Sequence, residues 1–339
     1  MKKEEFLRGF EKKKVEVYSN PSIKNPAVTI CVVTYQHVNY IKQCLDSILM
    51  QQTTFPFEIL LGEDASTDGT RKICMEYAQK HRDKIRLFLH HRENNIAING
   101  NPTGRFNFLY NLYNARGNYI ALCEGDDYWT DPLKLQKQVD FLEGNKEYGI
   151  CFHEAKIIWD QELKNNTIIL NSDYKWNKME VSKSDYVIAD VFNGPFMATA
   201  SVVFRKPIFD FPSWFCQTMS GDITLYALIL GENKIKFINE IMCVYRRHEK
   251  GITVYHRGNK ILINRIETLI NLNEHYKNKY RNEIKFAISN YLKGLKKINL
   301  KELLIIIKMS FASNLITSKQ LYRMIKVFFK SLYYKIIKR

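Results

Sequence analysis

The feature that most constrains the fold is a regular alternation of two hydrophobic patterns between residues 28 and 123. Uncharged runs of β-branched and aliphatic residues, such as VTICVVT at 28–34, alternate with segments whose apolar residues recur at helical spacing. Such runs are typical of buried strands, and strands that alternate with helices form parallel βαβ units. The predicted strands are 28–34, 57–61, 85–89 and 119–123, and the predicted helices are 40–49, 70–78 and 105–115. We therefore predict an α/β fold with a mostly parallel, Rossmann-like sheet flanked by helices.

The pattern is less regular beyond residue 130. A helix is predicted over 131–142, because Asp131-Pro132 suits a helix start. Residues 164–181 are polar and are predicted to be rich in loops. The remaining predicted elements are a strand at 198–204, a helix at 222–230, a strand at 241–245 and mostly helix from 258 onward.

Three polar segments directly follow predicted strands. They are 34–36 (TYQ), 63–68 (EDASTD) and 124–127 (EGDD). In open parallel sheets, ligands bind beyond the carboxyl ends of the strands. We therefore expect the chemistry of this protein to lie in these three segments.

The acidic group in YIALCEGDDYW, residues 119–129, is the most specific of the three. Glu124 and Asp126 are two residues apart, so an extended backbone directs both side chains the same way. At a strand end they could hold Mg²⁺ or Mn²⁺, which would also bind a substrate diphosphate. The alternative is an exposed acidic turn. We favour the cation site, because clustered acids after a buried strand repel one another without a counter-charge.

The other two segments are less specific. Asp64 could accept a hydrogen bond from the N–H of a nucleotide base, although a polar turn and helix cap would account equally well for Ser66, Asp68 and Gly69. Tyr35 could stack on the base, although an aromatic residue at a strand end often serves packing alone.

Taken in order, these motifs resemble the family 2 glycosyltransferases, of the type that builds bacterial surface polysaccharides on a GT-A fold. VTICVVTYQHVNYIKQCLDSIL is similar to the opening strand and helix of the family, with Gln36 in place of the usual Asn. GEDASTDGT resembles its second turn, and EGDDYW its DXD element, with Glu124 in place of the first Asp. The resemblance covers about residues 26–250. It implies a mixed, mostly parallel sheet.

The resemblance also implies roles for individual residues. Asp64 would bind the base and Tyr35 would stack on it. Asp126 would be the principal metal ligand, and Glu124 would hold the ribose, the metal or a metal-bound water. The nucleotide-sugar site implied in this way comprises Thr34, Tyr35, Asp64, Glu124, Gly125, Asp126, Arg246 and Arg247.

Two motifs in the second half complete the resemblance. Ser220-Gly221-Asp222 is similar to the segment that carries the catalytic base, so Asp222 would deprotonate the acceptor hydroxyl; its alternative role is a helix cap. Tyr245-Arg246-Arg247-His248 is similar to a Tyr-Arg-x-His element. His248 would ligate the metal, alongside Asp126 and Glu124, or contact the diphosphate. Arg246 or Arg247 would neutralise phosphate.

The implied reaction is an inverting transfer of a hexosyl or N-acetylhexosaminyl group. The donor would be a nucleotide-diphosphate sugar, with UDP favoured, and the acceptor a hydroxyl of a glycan or a lipid-linked molecule in surface polysaccharide or lipopolysaccharide synthesis. The cofactor would be Mn²⁺ or Mg²⁺. Two alternatives stay open: a nucleotidyltransferase that uses the loop Gly125-Asp126-Asp127, and a non-catalytic scaffold at a membrane. A polymerase loop of that kind sits on a β-hairpin, whereas here a helix follows at Pro132.

Charge is concentrated at the end of the chain. Of the net charge of +16, the last 49 residues contribute twelve basic residues and one acid. Lys319, Arg323, Lys326 and Lys330 recur at helical spacing, and the apolar residues Ile325, Phe328, Phe329, Leu332 and Ile336 are predicted on the other side. Such a helix suits an anionic membrane surface, although packing on the protein body is the alternative. Specific nucleic-acid binding is not expected, because a basic tail alone lacks specificity.

The remaining composition favours a cytoplasmic protein. The seven cysteines form no CxxC pair and read as reduced, buried thiols. We find no apolar signal segment and no uninterrupted apolar stretch of spanning length. We therefore expect a peripheral protein at the inner face of the cytoplasmic membrane. The predicted domains are a basic segment at 1–25, a GT-A domain at 26–255 and a helical, amphipathic, basic extension at 256–339.

Overall fold

A computed structural model describes residues 1–18, 23, 25–98, 100–159, 169–173, 183–249, 251 and 258–337. The described chain divides into two compact units. The first comprises Met1–Val187, Pro195–Cys216 and Ile229–His248, and the second comprises Ile188–Gly194, Gln217–Leu228 and Glu249–Arg339. The predicted boundaries at 25 and 255 remain predictions.

In chain order the helices and strands are α1 (Lys3–Phe10), β1 (Glu16–Val17), β2 (Val28–Thr34), α2 (Ile41–Leu49), β3 (Phe57–Glu63), α3 (Thr70–Lys80), β4 (Ile85–Leu89), β5 (Ala97–Ile98), β6 (Asn101–Pro102), α4 (Arg105–Asn114), β7 (Tyr119–Glu124), β8 (Tyr128–Trp129), α5 (Lys134–Gly144), β9 (Tyr148–Trp159), β10 (Ile169–Leu170), β11 (Asp185–Tyr186), α6 (Ile188–Phe192), β12 (Val203–Arg205), α7 (Gly221–Leu230), β13 (Lys234–Arg247), α8 (Asn259–His275), α9 (Arg281–Gly294), α10 (Leu300–Ser313) and α11 (Ser318–Ile337).

The first unit is built on a mixed, mostly parallel sheet, as predicted. Its strand order is β1-β4-β3-β2-β7-β12-β9-β13-β11. Strands β4, β3, β2 and β7 run parallel to one another, and β9 runs parallel to β13. Strand β12 is antiparallel to both β7 and β9. Since β12 opposes both neighbours, β7, β9 and β13 all run in the same direction.

The core follows from the apolar runs that the sequence analysis identified. Six of the seven residues of β2 and all seven of β3 are buried. Helix α2 packs its apolar face into the same core through Ile41, Cys44, Leu45 and Ile48, which confirms the helical spacing read from the sequence. All seven cysteines are buried and free.

The amino-terminal segment contains secondary structure of its own. Phe6 of α1 is fully buried and stacks on Phe106 of α4, with ring centroids 5.1 Å apart. Strand β1 pairs with the edge strand β4. Residues 3–17 therefore contribute a helix and a strand to the first unit.

Two predicted elements differ from the structure. Residues 198–204 were predicted as one strand, but a 3₁₀ turn at Thr199–Ser201 precedes the short strand β12. The Ser201 hydroxyl donates to the carbonyl of Ala198 at 2.7 Å, and the carbonyl of Ala200 accepts from the Trp129 indole at 2.9 Å, so these groups bond outside the ladder. The helix predicted from residue 131 begins only at Lys134.

Most of the predicted loop at 164–181 lies outside the described residues, apart from a turn and a short strand at 169–173. The described part of the second unit is helical, with α6, α8, α9, α10, α11 and the first turns of α7. Among the described residues, we find no helix with both the length and the apolar character needed to cross a membrane.

Candidate active site

Five strand ends meet at one edge of the sheet. In the parallel registers Thr34 lies opposite Glu63, and Val33 lies opposite Glu124. Strand β4 ends beside β3, and β13 ends at the same edge because it runs in the same direction as β7. The structure therefore brings together the predicted segments at 34–36, 63–68, 124–127 and 245–248.

The centre of this edge is a cluster of two imidazoles and one carboxylate. His248 Nε2 lies 3.0 Å from Asp126 Oδ2, and His37 Nε2 lies 3.8 Å from the same oxygen. One ligand atom from each residue falls within 4.8 Å of the other two. These distances suit three ligands of a single metal ion.

The electrostatics of the cluster favour the protonation states that a metal requires. Burial works against ionisation of Asp126, but the hydrogen bond from His248 and the proximity of His37 hold its pKa below the usual value. The pKa of His37 is lowered, chiefly by burial, so its ring is neutral near pH 7. A carboxylate and a neutral imidazole are the forms that coordinate metals.

His37 was not among the predicted ligands, and its position is fixed by neighbouring groups. Thr34 Oγ1 lies 3.2 Å from His37 Nδ1, which leaves Nε2 directed at Asp126. A Cβ at Gly125 would approach Thr34 Oγ1 to 2.6 Å and His37 Nδ1 to 3.0 Å, so only glycine fits at position 125. His37 is one residue beyond the segment 34–36, so extending that segment would have found it.

Glu124 lies beside the cluster at the end of β7 but is not one of the three clustered residues. Its side chain is partly exposed. The structure does not bring it together with Asp126 and His248 as a third ligand. Its predicted contacts with ribose or with a metal-bound water remain predictions.

Arg246 supports the acidic loop. Its backbone N–H donates to Asp127 Oδ1 at 2.8 Å, and its guanidinium donates to the carbonyl of Asp126 at 2.5 Å and to Gln43 Oε1 at 2.7 Å. Asp127 is fully buried, and burial with the charges of Asp126 and Glu124 raises its pKa well above the usual value. These contacts fix the backbone that carries Asp126. The phosphate contact predicted for Arg246 remains a prediction.

Arg247 has a different environment. Its guanidinium carbon lies 4.4 Å from the centroid of the Trp159 ring, and its side chain is partly exposed. The two adjacent arginines therefore have different environments. The phosphate contact predicted for Arg247 also stays a prediction.

A second cluster surrounds the predicted base-binding residues. Asp64 Oδ2 accepts hydrogen bonds from Arg92 Nη1 at 2.5 Å and from Asn95 Nδ2 at 3.1 Å. The Arg92 guanidinium also lies 3.9 Å from the ring centroid of Tyr35, which is 39% exposed. Burial raises the pKa of Asp64 to about 6, although the charge of Arg92 opposes the shift. Arg92 and Asn95, which follow β4 at the same edge, were missed in the sequence.

The loops after β2 and β3 are joined by hydrogen bonds. The Gln36 N–H donates to Ser66 Oγ at 2.9 Å, the His37 N–H donates to Thr70 Oγ1 at 2.8 Å, and the Val38 N–H donates to an Asp68 carboxylate oxygen at 3.1 Å. Asp68 also accepts from the N–H and hydroxyl of Thr70 at the start of α3. Asp68 therefore stabilises the polar turn that leads into α3, in line with the turn that the sequence analysis gave as the alternative interpretation.

Asp222, the predicted base, belongs to the second unit. It lies in the first turn of α7, which starts with a hydrogen bond from the Thr224 N–H to the carbonyl of Ser220 at 3.1 Å. The hydroxyl of Ser220 accepts from Arg265 Nε of α8 at 3.1 Å. The catalytic role of Asp222 remains a prediction.

Comparison with known proteins identifies the family of this chain. The family model described as glycosyl transferase family 2 matches residues 29–210. The uncharacterized protein Rv1520 of Mycobacterium tuberculosis (strain H37Rv) is 36% identical over 227 residues, which are 66% of this chain and 60% of the relative. TuaG of Bacillus subtilis (strain 168), whose name refers to teichuronic acid biosynthesis, is 30% identical over 117 residues, which are 34% of this chain and 42% of TuaG. Both matches span less than two thirds of the relative.

Among solved structures, TarS 1–349 of S. aureus in complex with UDP-GlcNAc matches with a TM-score of 0.51 and 14% identity, over 82% of this chain and 83% of that chain. At this identity the similarity concerns the fold alone. Because the family model extends over more than half of its length, this chain belongs to glycosyl transferase family 2 and adopts the GT-A fold.

Proposed function

We propose that this protein is a metal-dependent, inverting glycosyltransferase that uses a nucleotide-diphosphate sugar. The observation that carries the proposal is the convergence of His37, Asp126 and His248 at the sheet edge where Tyr35 and Asp64 also lie. A cation site next to a base site is what a charged nucleoside diphosphate requires.

The donor atoms of the cluster fit a divalent cation. His37, Asp126 and His248 supply two ring nitrogens and one carboxylate oxygen within 4.8 Å of one another. We favour Mn²⁺ over Mg²⁺, because Mg²⁺ prefers an all-oxygen set, whereas imidazole is a good ligand for softer ions. A bound cation would neutralise the diphosphate as it departs.

UDP is the favoured nucleotide. Arg92 and Asn95 both donate to Asp64 Oδ2, which leaves Oδ1 as the acceptor for a base N–H. The exposed ring of Tyr35 offers a stacking surface beside it. The complex of TarS with UDP-GlcNAc supports this choice by showing a uridine nucleotide-sugar on a similar fold.

For the chemical step we assign the base to Asp222. It would accept the proton of the acceptor hydroxyl as the oxygen forms its bond to the anomeric carbon, while the bond from that carbon to the diphosphate oxygen breaks. One such displacement inverts the anomeric centre. A hexosyl or N-acetylhexosaminyl group would be transferred to a glycan or a lipid-linked acceptor in surface polysaccharide synthesis. The name of TuaG supports this setting, and we place the reaction at the cytoplasmic face of the membrane.

A thermal-shift panel tests the proposal. We expect UDP with Mn²⁺ to raise Tm by about 5 °C at saturation, because a ligand that binds only the native state stabilises that state. UDP with EDTA should raise Tm much less. UDP-sugars with Mn²⁺ should then identify the donor. An equal rise in Tm with UDP in the presence of Mn²⁺ and in the presence of EDTA would contradict the metal site. Turnover that releases pyrophosphate instead of nucleoside diphosphate would establish a nucleotidyltransferase, and no turnover with any donor and acceptor would favour a scaffold.

The raised pKa of Asp64 predicts the pH dependence of nucleotide binding. With a pKa of about 6, Asp64 is ionised above that pH and accepts strongly from the base, whereas below it the neutral carboxyl is a weaker acceptor. We expect UDP affinity in EDTA to fall up to about tenfold per pH unit below the pKa.

Isothermal titration from about pH 7.5 to about pH 5 measures this change, and Asp64→Asn titrated in parallel corrects for protonation of UDP itself. Asp64→Asn should bind UDP weakly and should lack the fall in affinity that protonation of Asp64 causes in the wild type. If UDP affinity depended on pH in the same way in both proteins, Asp64 would not take part in base recognition.

A further inference from the structure

Helix α10 in the second unit exposes an apolar stripe. Leu300, Leu304 and Phe311 lie on one side of this helix and are 57%, 56% and 82% exposed. Lys301 and Lys308 are also exposed and lie next to the stripe at helical spacing. The opposite side of α10 is buried through Leu303, Ile306 and Met309. The exposed side is thus more apolar than packing of the helix requires.

Helix α11 repeats this arrangement with aromatic residues. Tyr322, Phe329 and Tyr333 are 59%, 60% and 62% exposed, and successive members are seven and four residues apart. The basic residues beside them are also exposed; they are Lys319, Arg323, Lys326 and Lys330. Lys326 Nζ lies 4.6 Å from the centroid of the Tyr322 ring.

The exposure of individual side chains adds detail to the amphipathicity predicted for α11, and the membrane-facing role stays a prediction. Phe329 and Leu332 were predicted on the side away from the basic residues, to serve as a buried or membrane-facing surface. In the structure both are exposed, and Phe329 borders the basic residues, whereas Met324 provides the fully buried contact. Aromatic and basic side chains therefore share one exposed side of the helix.

Apart from Glu302 in the first turn of α10, the charged residues of the two helices are all basic. After Glu302 the sequence contains no acidic residue, but it contains eight basic residues up to Arg339. An exposed surface that serves only solubility usually mixes both signs. A surface that combines lysine and arginine with tyrosine and phenylalanine matches the chemistry of a lipid headgroup region, where cations meet phosphates and aromatic rings enter the interface.

We propose that the exposed sides of α10 and α11 form a docking surface for an anionic lipid bilayer. The surface comprises the apolar residues Leu300, Leu304, Phe311, Tyr322, Phe329 and Tyr333, with the basic residues next to them. Each lysine or arginine near an anionic membrane contributes attraction, and the apolar groups add burial in the headgroup layer. The proposal is independent of the proposed transferase activity, since none of its residues belongs to the sheet-edge site.

Vesicle co-sedimentation of the full chain tests the surface. We expect binding to phosphatidylcholine vesicles that contain about one third phosphatidylglycerol, weak binding to pure phosphatidylcholine, and loss of binding at high salt. Lys319→Glu with Lys330→Glu should weaken binding by at least about tenfold. Phe311→Ser with Phe329→Ser should also weaken it at low salt, because apolar insertion is lost while the charge is kept.

The matched control is Lys72→Glu with Lys80→Glu, two exposed lysines of α3 in the first unit, which gives the same change in net charge. It should bind vesicles nearly as well as the wild type. If the control variant lost as much vesicle binding as Lys319→Glu with Lys330→Glu, the effect would depend on net charge alone, and the proposal would be overturned. Failure of the wild type to bind anionic vesicles would also overturn it. A dimer that dissociates in Phe311→Ser with Phe329→Ser, without vesicle binding, would assign the surface to a second copy of the chain.

Discussion

Asp126→Asn is expected to lower turnover by at least about a thousandfold while the protein stays folded. Asparagine keeps the shape of the side chain and an oxygen that can accept from His248, whose Nε2 lies 3.0 Å from Asp126 Oδ2. It removes the one negative charge among the three clustered residues. Affinity for Mn²⁺ should fall with turnover, because two neutral imidazoles alone bind a cation poorly.

The measurement is release of nucleoside diphosphate, together with Mn²⁺ binding followed by electron paramagnetic resonance. Asp83→Asn, at an exposed position between α3 and β4, is the matched control and should behave as the wild type. Near-normal turnover in Asp126→Asn with lost Mn²⁺ binding would show that the cation is dispensable. Retention of both would disprove the cluster as a metal site.

Asp222→Asn carries the second largest expected effect. Removal of a general base typically costs about 10²- to 10⁴-fold in rate, and we expect kcat to fall within that range. The affinity for UDP and Mn²⁺ should not change, because Asp222 is assigned to the acceptor and not to the donor. This separation distinguishes a base from a donor ligand.

The alternative for Asp222 is a cap in the first turn of α7. A cap predicts that Asp222→Ala lowers Tm, by the equivalent of about 1 kcal/mol, with kcat maintained, and that Asp222→Asn changes neither, because asparagine caps a helix as well as aspartate does. Measuring kcat, UDP affinity and Tm on the same preparation therefore decides between the two roles. Glu267→Gln, at an exposed site on α8 of the same unit, serves as the control for loss of one acid. A reduced UDP affinity in Asp222→Asn would contradict the assignment to the acceptor.

The sheet was predictable because its central strands carry strong local signals. Uncharged runs such as 28–34 and 119–123 form strands wherever they can be buried, and βαβ connectivity makes them parallel. Once the strands are parallel, their carboxyl ends share an edge. The proximity of segments 34–36, 63–68 and 124–127 therefore follows from topology, and the registers of β2 with β3 and β7 confirm it.

What escaped prediction depends on contacts between distant residues. Arg92 reaches Asp64 only because β4 lies beside β3, and nothing in the local sequence at 92 signals that contact. His37 gains its place from Thr34, the last residue of β2, and from Gly125, which directly follows β7. The turn at 199–201 arises because the indole of Trp129 binds the carbonyl of Ala200. Local propensity cannot anticipate such partners.

The hydrogen bonds between the loops after β2 and β3 have a consequence for how the two halves of the site cooperate. His37 is held through Thr70, and Thr70 is held through Asp68, in the same loop that begins with Asp64. These loops therefore lose their conformational entropy during folding and not when a ligand binds. The groups for the base and for the cation form one rigid frame, so loosening either loop would weaken both subsites together.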